Sequence, residues 1–356
     1  MADRIALVTG ATGFIGTRLV PALLERGWTV RACGRRPRPD SLPAKVSYHV
    51  VDLAGDDDLA PLFREVTHLL HLAGASSSLA SEDEMHRANV VATERLVDAA
   101  TQAADLERLL YMSSTSVYGE EVQLPSPIIE EEDEPQPSRA YGKAKWAAEQ
   151  VVWAARADGM PVIVVRPVSV YGPGNVKLLA SAVLDAAIER FAAERAASMA
   201  VGRAEAGNEV LVVPAEPVEQ RLVHIDDVVR ATMHLAIHPW STGQAFNLVF
   251  PSYPSSHQVA EVIAGELGMK VELSDDPNCG LRYDARVAAR DQMLEAGMAP
   301  DILLTEDRFR FMRKANINNR LSIDALLSTG FQFADADLET GIRATIAWYL
   351  EQRWII

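Results

Sequence analysis

The 356-residue sequence has little cysteine, no excess of positive charge and no long apolar run. Its two cysteines, Cys33 and Cys279, form no CxxC pair. That points away from a metal cluster or a redox dithiol and toward a reduced, cytoplasmic protein, and no metal site is expected. Against 49 acidic residues stand 34 basic ones, a formal charge of −15. A broad nucleic-acid face or an anionic-membrane face is therefore not expected, while a local basic pocket for one phosphate is compatible with the balance. No stretch reaches the length needed to span a bilayer, and the few residues before Thr9-Gly10 are too short for a signal-peptide core. The remainder is ordinary: 48% hydrophobic and 23% charged residues exclude a mostly disordered chain, a collagen-like repeat and a small disulfide-stapled scaffold. The length suits about two domains.

The first 170 residues alternate short apolar runs with longer helical patterns. Residues 5–8, 29–33, 46–51, 68–72, 109–112 and 162–165 read as strands, and residues 14–26, 85–104 and 139–158 as helices, with Gly27 as a stop after the first. Continuous apolar strands interleaved with helices indicate a parallel sheet covered on both faces. After Pro173 the alternation weakens into an alanine-rich helical stretch at 176–203, a strand at 209–213 and a helix at 256–268. The acidic run Glu130 to Glu134, set among prolines, reads as a solvated loop.

Thr9-Gly10-Ala11-Thr12-Gly13-Phe14-Ile15-Gly16 follows a strand and opens a helix, the context in which a glycine motif carries meaning. Gly10 permits the tight turn, Gly13 lets the backbone approach a pyrophosphate, and Gly16 allows close helix–strand packing. The backbone of Thr12, Phe14 and Ile15 then offers free N–H groups and a positive dipole end to phosphates. Downstream, Tyr141 and Lys145 stand four apart and share one face of a helix. An ammonium beside a phenol lowers the phenol's pKa, and a tyrosine tuned this way can give or take a proton at an alcohol or ketone oxygen.

The GxxGxxG spacing, Tyr141-Gly142-Lys143-Ala144-Lys145, the RPxxVYGPG segment from Arg166 to Gly174 and the R-x-V-H-x-D-D segment from Arg221 to Asp227 together resemble the short-chain dehydrogenase/reductase superfamily, in its extended branch. The resemblance implies an α/β fold: a Rossmann-type doubly wound parallel sheet over residues 1–172 that binds NAD(P). A smaller C-terminal α/β substrate domain would cover 173–356, with roughly 216–250 returning to the first. It implies that Ser114, with Ser113 and Thr115 as fallbacks, orients the substrate oxygen, that Tyr141 is the acid/base, and that Lys145 tunes it and holds the nicotinamide ribose. It places Asp52 and Leu53 at the adenine, Ala73 and Gly74 along the cofactor, and Pro167 beside the nicotinamide. Where NAD-using relatives often carry an acidic residue at the end of the second strand, this chain has Gly34-Arg35-Arg36. A guanidinium at Arg35 or Arg36 can pair bidentately with a 2′-phosphate, which favours NADP, with NAD possible.

The implied activity is NAD(P)-dependent hydride transfer at a carbonyl or secondary alcohol of a small-molecule substrate. Two alternatives stay open: a nucleotide-sugar epimerase with retained cofactor, and an NADP-sensing regulator without turnover. Thr115 and Ser116 stand where sugar dehydratases of the branch carry an Asp-Glu pair, which argues against dehydration. Arg282, Arg286 and Arg290 could clamp a diphosphate, whereas residues 304–311 and Asn319 to Ser322 look more like ketone-reducing members. The helices at 85–104 and 139–158 could pair across a two-fold axis, giving a homodimer.

Overall fold

The computed structural model describes residues 4–76, 80–119, 128–175, 179–199, 210–276, 279, 283–298, 319–334 and 337–355. In chain order these form β1 (Ile5–Thr9), α1 (Gly16–Glu25), β2 (Thr29–Gly34), β3 (Ser47–Val50), β4 (His68–His71), α2 (Glu82–His86), α3 (Ala92–Thr101), β5 (Arg108–Met112), β6 (Ile128–Ile129), α4 (Ala140–Ala157) and β7 (Val162–Pro167). Then follow β8 (Ser169–Tyr171), α5 (Leu179–Met199), β9 (Val210–Pro214), β10 (Leu222–His224), α6 (Ile225–Ile237), β11 (Ala245–Leu248), α7 (Ser256–Glu266), β12 (Lys270–Ser274), α8 (Tyr283–Glu295), β13 (Arg320–Leu321), α9 (Asp324–Ser328) and α10 (Leu338–Glu351).

Seven strands make one sheet in the order β11-β7-β5-β4-β1-β2-β3, every neighbouring pair parallel. β1, β4, β5 and β7 are buried almost throughout, as continuous apolar runs such as Val162-Ile163-Val164-Val165 require of strands covered on both faces. From β1 the chain winds outward through β2 and β3, then returns to β4 on the other side of β1. The C-terminal ends of β1 and β4 therefore flank the topological switch point, where open α/β sheets leave a crevice.

Local sequence sets the helix ends. Gly27, at φ +80°, closes α1: its own N–H donates to Leu24 and that of Trp28 to Leu23, the left-handed termination that the sequence reads as a stop. Ser81 and Glu84 cap α2 reciprocally. Between α2 and α3 the residues Arg87–Val91 form a π-turn, a local widening that turns Asn89 inward to near-complete burial.

The chain divides into two compact units. The first comprises Met1–Val168, Ile225–Val249 and Asn318–Phe333; the second comprises Ser169–His224, Phe250–Ile317 and Ala334–Ile356. In the first, a core from β1, β4, β5, α3 and α4 includes Leu7, Leu69, Leu96, Leu109, Ala148 and Val152. The segment Asn318–Phe333 joins it as well, a return that periodicity alone does not suggest; β13 adds to β6 there. In the second, α5, α7 and α10 share a core with β9. That unit's sheet pairs are β8 with β10 and β9 with β12, all parallel.

The acidic run corrects one expectation. Glu130, Glu132 and Glu134 are exposed, but Glu131 is only 8% exposed. Its carboxylate accepts the N–H of Asn247 and its carbonyl accepts from Arg166. Burial pushes its carboxyl from 4.5 up to about 7, against the lowering effect of the Asn247 N–H. A carboxyl raised in the folded state contributes stability that is full below its ordinary value and lost as pH rises through about 7. Urea midpoints of the wild type should therefore fall across that window, and those of Glu131→Gln should fall less. Parallel pH profiles for the two proteins would exclude Glu131 as the source.

Candidate active site

The glycine turn lies directly after β1, at the switch point. Gly10 has φ +70°, and a Cβ there would lie 2.8 Å from the nitrogen of Ala73. A Cβ at Gly16 would collide with the Gly10 carbonyl and come within 2.6 Å of the Cα of Ala11. These two glycines are thus demanded by the crossing of three backbones. Gly13 is different: a Cβ there would meet only the Gly10 oxygen, at 3.2 Å, and its other side is open. Among the described residues no protein acceptor meets the N–H groups of Phe14 and Ile15, which precede the first turn of α1. This cradle suits an anionic group, with the helix dipole adding to the attraction.

At the end of β5 three consecutive hydroxyls have distinct fates. Ser113 donates to the fully buried carboxylate of Glu149. Thr115 donates to the carbonyl of Pro167, at 3.4 Å. Ser114 caps the short 3₁₀ turn of residues 115–118, accepting the N–H of Ser116 and meeting the Ser116 Oγ at 3.2 Å, and its hydroxyl is the neighbour that acts on the Tyr141 phenol. The tertiary structure thus singles out Ser114 from its two neighbours. Gly142 makes the approach possible, because a Cβ there would press into the Ser116 carbonyl and lie 3.1 Å from Pro137. A glycine just inside the first turn of α4 lets that helix sit on the strand-end turn and deliver Tyr141 to Ser114.

Lys145, one turn further along α4, is 4% exposed. Its ammonium donates to the carbonyl of Met112, at 2.8 Å, and lies 4.9 Å above the ring of Tyr111. A lysine has three donors, so two are left for other acceptors. Burial lowers Lys145 from 10.5 to about 8, with the Glu149 carboxylate opposing. Tyr141 departs from the sequence expectation. Burial raises its phenol above 10.0, the neighbouring Ser114 hydroxyl pulls the other way, and Lys145 is not among its perturbing groups. The four-residue spacing puts the two side chains on one face, but the ammonium is committed to Met112 rather than to the phenol.

Glu149 continues the series 141, 145, 149 and was not singled out from the sequence. It holds Arg166 through both carboxylate oxygens, at 2.7 to 3.2 Å, and Arg166 in turn reaches the Tyr118 hydroxyl and the Glu131 carbonyl. The available signal was a carboxylate at heptad-like spacing on the inner face of a helix otherwise lined by Ala144, Ala148 and Val152.

The other candidates are placed as follows. Asp52 accepts from Ala54 and pairs with Arg87 at 3.2 Å, while the Leu53 carbonyl accepts from Arg95. The Ala73 N–H is held by the Thr9 hydroxyl, and Gly74 lies against Asn89 and Lys145. Pro167 ends β7. Arg35 and Arg36 are exposed after β2, and Tyr48 donates to the Arg36 carbonyl. Arg38 is spent on the carbonyls of Leu42, Pro43 and Val46. In the second unit Arg286 is buried and paired with Asp185 inside the core, which removes it as a diphosphate clamp. Arg282 and residues 304–311 lie outside the described residues.

The sequence pattern of the NAD dependent epimerase/dehydratase family matches residues 6–248. Over 278 residues the chain is 28% identical to a dTDP-6-deoxy-L-talose 4-dehydrogenase (NAD(P)(+)) of Kitasatospora kifunensis, covering 76% of this chain and 81% of that one. Over 190 residues it is 30% identical to a 2-alkyl-3-oxoalkanoate reductase of Stenotrophomonas maltophilia, covering 49% and 53%. It spans about half the length of the first such curated relatives. Among solved structures, MoeE5 in complex with UDP-glucose and NAD superposes with a TM-score of 0.69 at 26% identity, covering 98% of this chain and 99% of that one.

Proposed function

The chain belongs to the NAD dependent epimerase/dehydratase family, and from that premise we propose that it transfers hydride between a nicotinamide dinucleotide and a carbonyl or secondary alcohol carbon, with Tyr141 as acid/base. The observation that carries this reading is the seating of the first turn of α4 on the Ser114–Ser116 turn, which brings Tyr141 to Ser114 one helical turn from the buried Lys145, in the unit that also bears the glycine turn. The first unit would be the dinucleotide domain and the second the substrate domain.

Gly10, Thr12, Gly13, Phe14 and Ile15 would hold the pyrophosphate, and the two spare donors of Lys145 would hold ribose hydroxyls. Asp52 and Leu53 would flank the adenine, Ala73 and Gly74 would run beside the cofactor, and Pro167 would lie near the nicotinamide. When bound, the dinucleotide supplies or accepts the hydride. In reduction Tyr141 gives its phenolic proton to the substrate oxygen as the carbon receives the hydride, and Ser114 hydrogen-bonds that oxygen. A phenol raised by burial is fully protonated at neutral pH, the state a general acid needs. Lys145, at about 8, is still mostly cationic at neutral pH and stabilises the phenolate left behind. An intact acid and orienter weigh against a regulator without turnover.

We read the preferred cofactor as NADP, since Arg35 and Arg36 stand exposed where no carboxylate would repel a 2′-phosphate. A second reading, in which the substrate carries a nucleoside diphosphate and the enzyme acts as an epimerase, is favoured by Arg221. Burial lowers this arginine to about 10, and its Nη2 has no hydrogen-bond partner among the described residues. The similarity to MoeE5, solved with UDP-glucose, supports the same reading. We further infer a homodimer, and a cytoplasmic location consistent with Cys33 and Cys279 forming no disulfide and with no described helix long and apolar enough to cross a membrane.

Three experiments test these assignments. Tyr141→Phe should lower kcat by about 10²-fold or more while leaving dinucleotide Kd within about twofold; undiminished turnover would remove its role. Arg35→Ala should weaken NADP about tenfold or more and NAD little, on the scale of one charged hydrogen bond, in a fluorescence titration; equal losses would remove the NADP preference. With a UDP-sugar as substrate, Arg221→Ala should raise KM about tenfold or more. Steady NADPH consumption with a plain ketone, untouched by that substitution, would instead support the reductase.

A further inference from the structure

His71, the last residue of β4, is fully buried, and both its ring nitrogens are engaged: Nδ1 meets the Thr9 hydroxyl at 2.7 Å and Nε2 meets the Thr93 hydroxyl at 3.0 Å. The protons along this path can be assigned from the contacts. The Thr93 hydroxyl donates to the Asn89 carbonyl, one turn back in the π-turn. Two oxygens so close need a hydrogen between them, and the carbonyl has none to give. Thr93 has therefore spent its only hydrogen, and toward His71 it can only accept, so Nε2 carries a hydrogen. Burial, reinforced by Lys145, holds the ring neutral by lowering its pKa to about 3, so Nδ1 is bare and accepts from Thr9. The Thr9 oxygen accepts the N–H of Ala73, at 3.2 Å. The path thus runs one way, from the Ala73 N–H through Thr9, His71 and Thr93 to the Asn89 carbonyl.

Both ends of this path grip the same three residues. Thr9 holds the nitrogen of Ala73, and the side chain of Asn89 donates to the carbonyl of Ala75 at 3.1 Å. Between them, Gly74 abuts the Asn89 side-chain oxygen, and a Cβ on it would lie 3.3 Å from the Lys145 ammonium. Ala73 in turn packs against Gly10 backbone to backbone. We propose that His71 is a positioning residue, locked as the Nε2–H tautomer, that fixes the Ala73–Ala75 backbone between the glycine turn and Lys145 in the shape the dinucleotide requires. The proposal rests on the dinucleotide reading given above. The imidazole takes no part in proton transfer to substrate: it reads out as geometry, not as a titrating group.

The tautomer is tested first, on the wild type without any dinucleotide, by a long-range ¹H–¹⁵N spectrum of the histidine rings. A protonated Nε2 with a bare Nδ1, constant across neutral pH, is the expected result; a protonated Nδ1 or an exchanging pair overturns the proposal. A wild type that binds neither NAD nor NADP would refute the function, and the spectrum would still decide the tautomer. In the second arm, His71→Leu should raise the Kd for dinucleotide about tenfold, the effect of one displaced backbone hydrogen bond. His71→Gln, whose amide can accept from Thr9 and donate to Thr93, should recover most of that loss, and kcat at saturating dinucleotide should change much less than Kd. Equal impairment by Leu and Gln, or unchanged affinity in both, overturns the proposal. Should His71→Leu fail to fold, Thr93→Val removes the last link while keeping the imidazole, with the same weakened binding expected and an unchanged Kd counting against the path.

Discussion

A fully buried carboxylate fixes the geometry on which the candidate site depends. Glu149 takes three N–H contacts from Arg166 and one hydroxyl from Ser113, and all three side chains are nearly inaccessible. Removing two charges from water is expensive, and only near-complete hydrogen bonding offsets it. Once formed, the pair is hard to break singly, since an uncompensated buried charge costs about 3–5 kcal/mol. Its effect is to tie three elements together. α4 supplies the carboxylate, β7 the guanidinium, and the end of β5 the serine. Tyr141 and Lys145 ride on that helix and Ser114 is the residue after Ser113, so the approach of Tyr141 to Ser114 inherits its placement from the buried ion pair.

The same carboxylate sets the charge state above it. Burial pulls the Lys145 pKa down, and Glu149, one turn away, is the influence opposing that shift. Lys145 stays mostly cationic at neutral pH although it is almost completely enclosed. The site therefore combines a neutral phenol with a cationic amine, and both states follow from position in the fold.

What could be read from the sequence was what depends on neighbours in the chain. The left-handed Gly10, the close packing at Gly16 and the stop at Gly27 follow from turn stereochemistry within a few residues, and they stand as read. The parallel sheet itself follows from apolar runs spaced by helices. What escaped is long-range. Glu131 looks solvated among its acidic neighbours, but its partners are Arg166, 35 positions on, and Asn247, 116 positions on. Of three adjacent hydroxyls at the end of β5 the family resemblance put Ser114 first, but the different partners of the other two, Glu149 and Pro167, are long-range and show only in the fold. The i, i+4 rule put Lys145 on the face of Tyr141 correctly. It could not foresee that the Met112 carbonyl would take the ammonium or that burial would raise the phenol.

That last difference bears on the chemistry. A phenol lowered by an adjacent ammonium would be poised as a base, ready to take a proton from an alcohol. A phenol raised by burial, with only a serine hydroxyl pulling it down, holds its proton at neutral pH. On the proposed reading the oxidative direction needs the phenolate stabilised, and the nearby positive charge of Lys145 is the chain's own means for that. An epimerase must run both directions on one bound substrate, so it needs Lys145 to reach the phenolate's side in each cycle. A reductase needs it only after the proton has left.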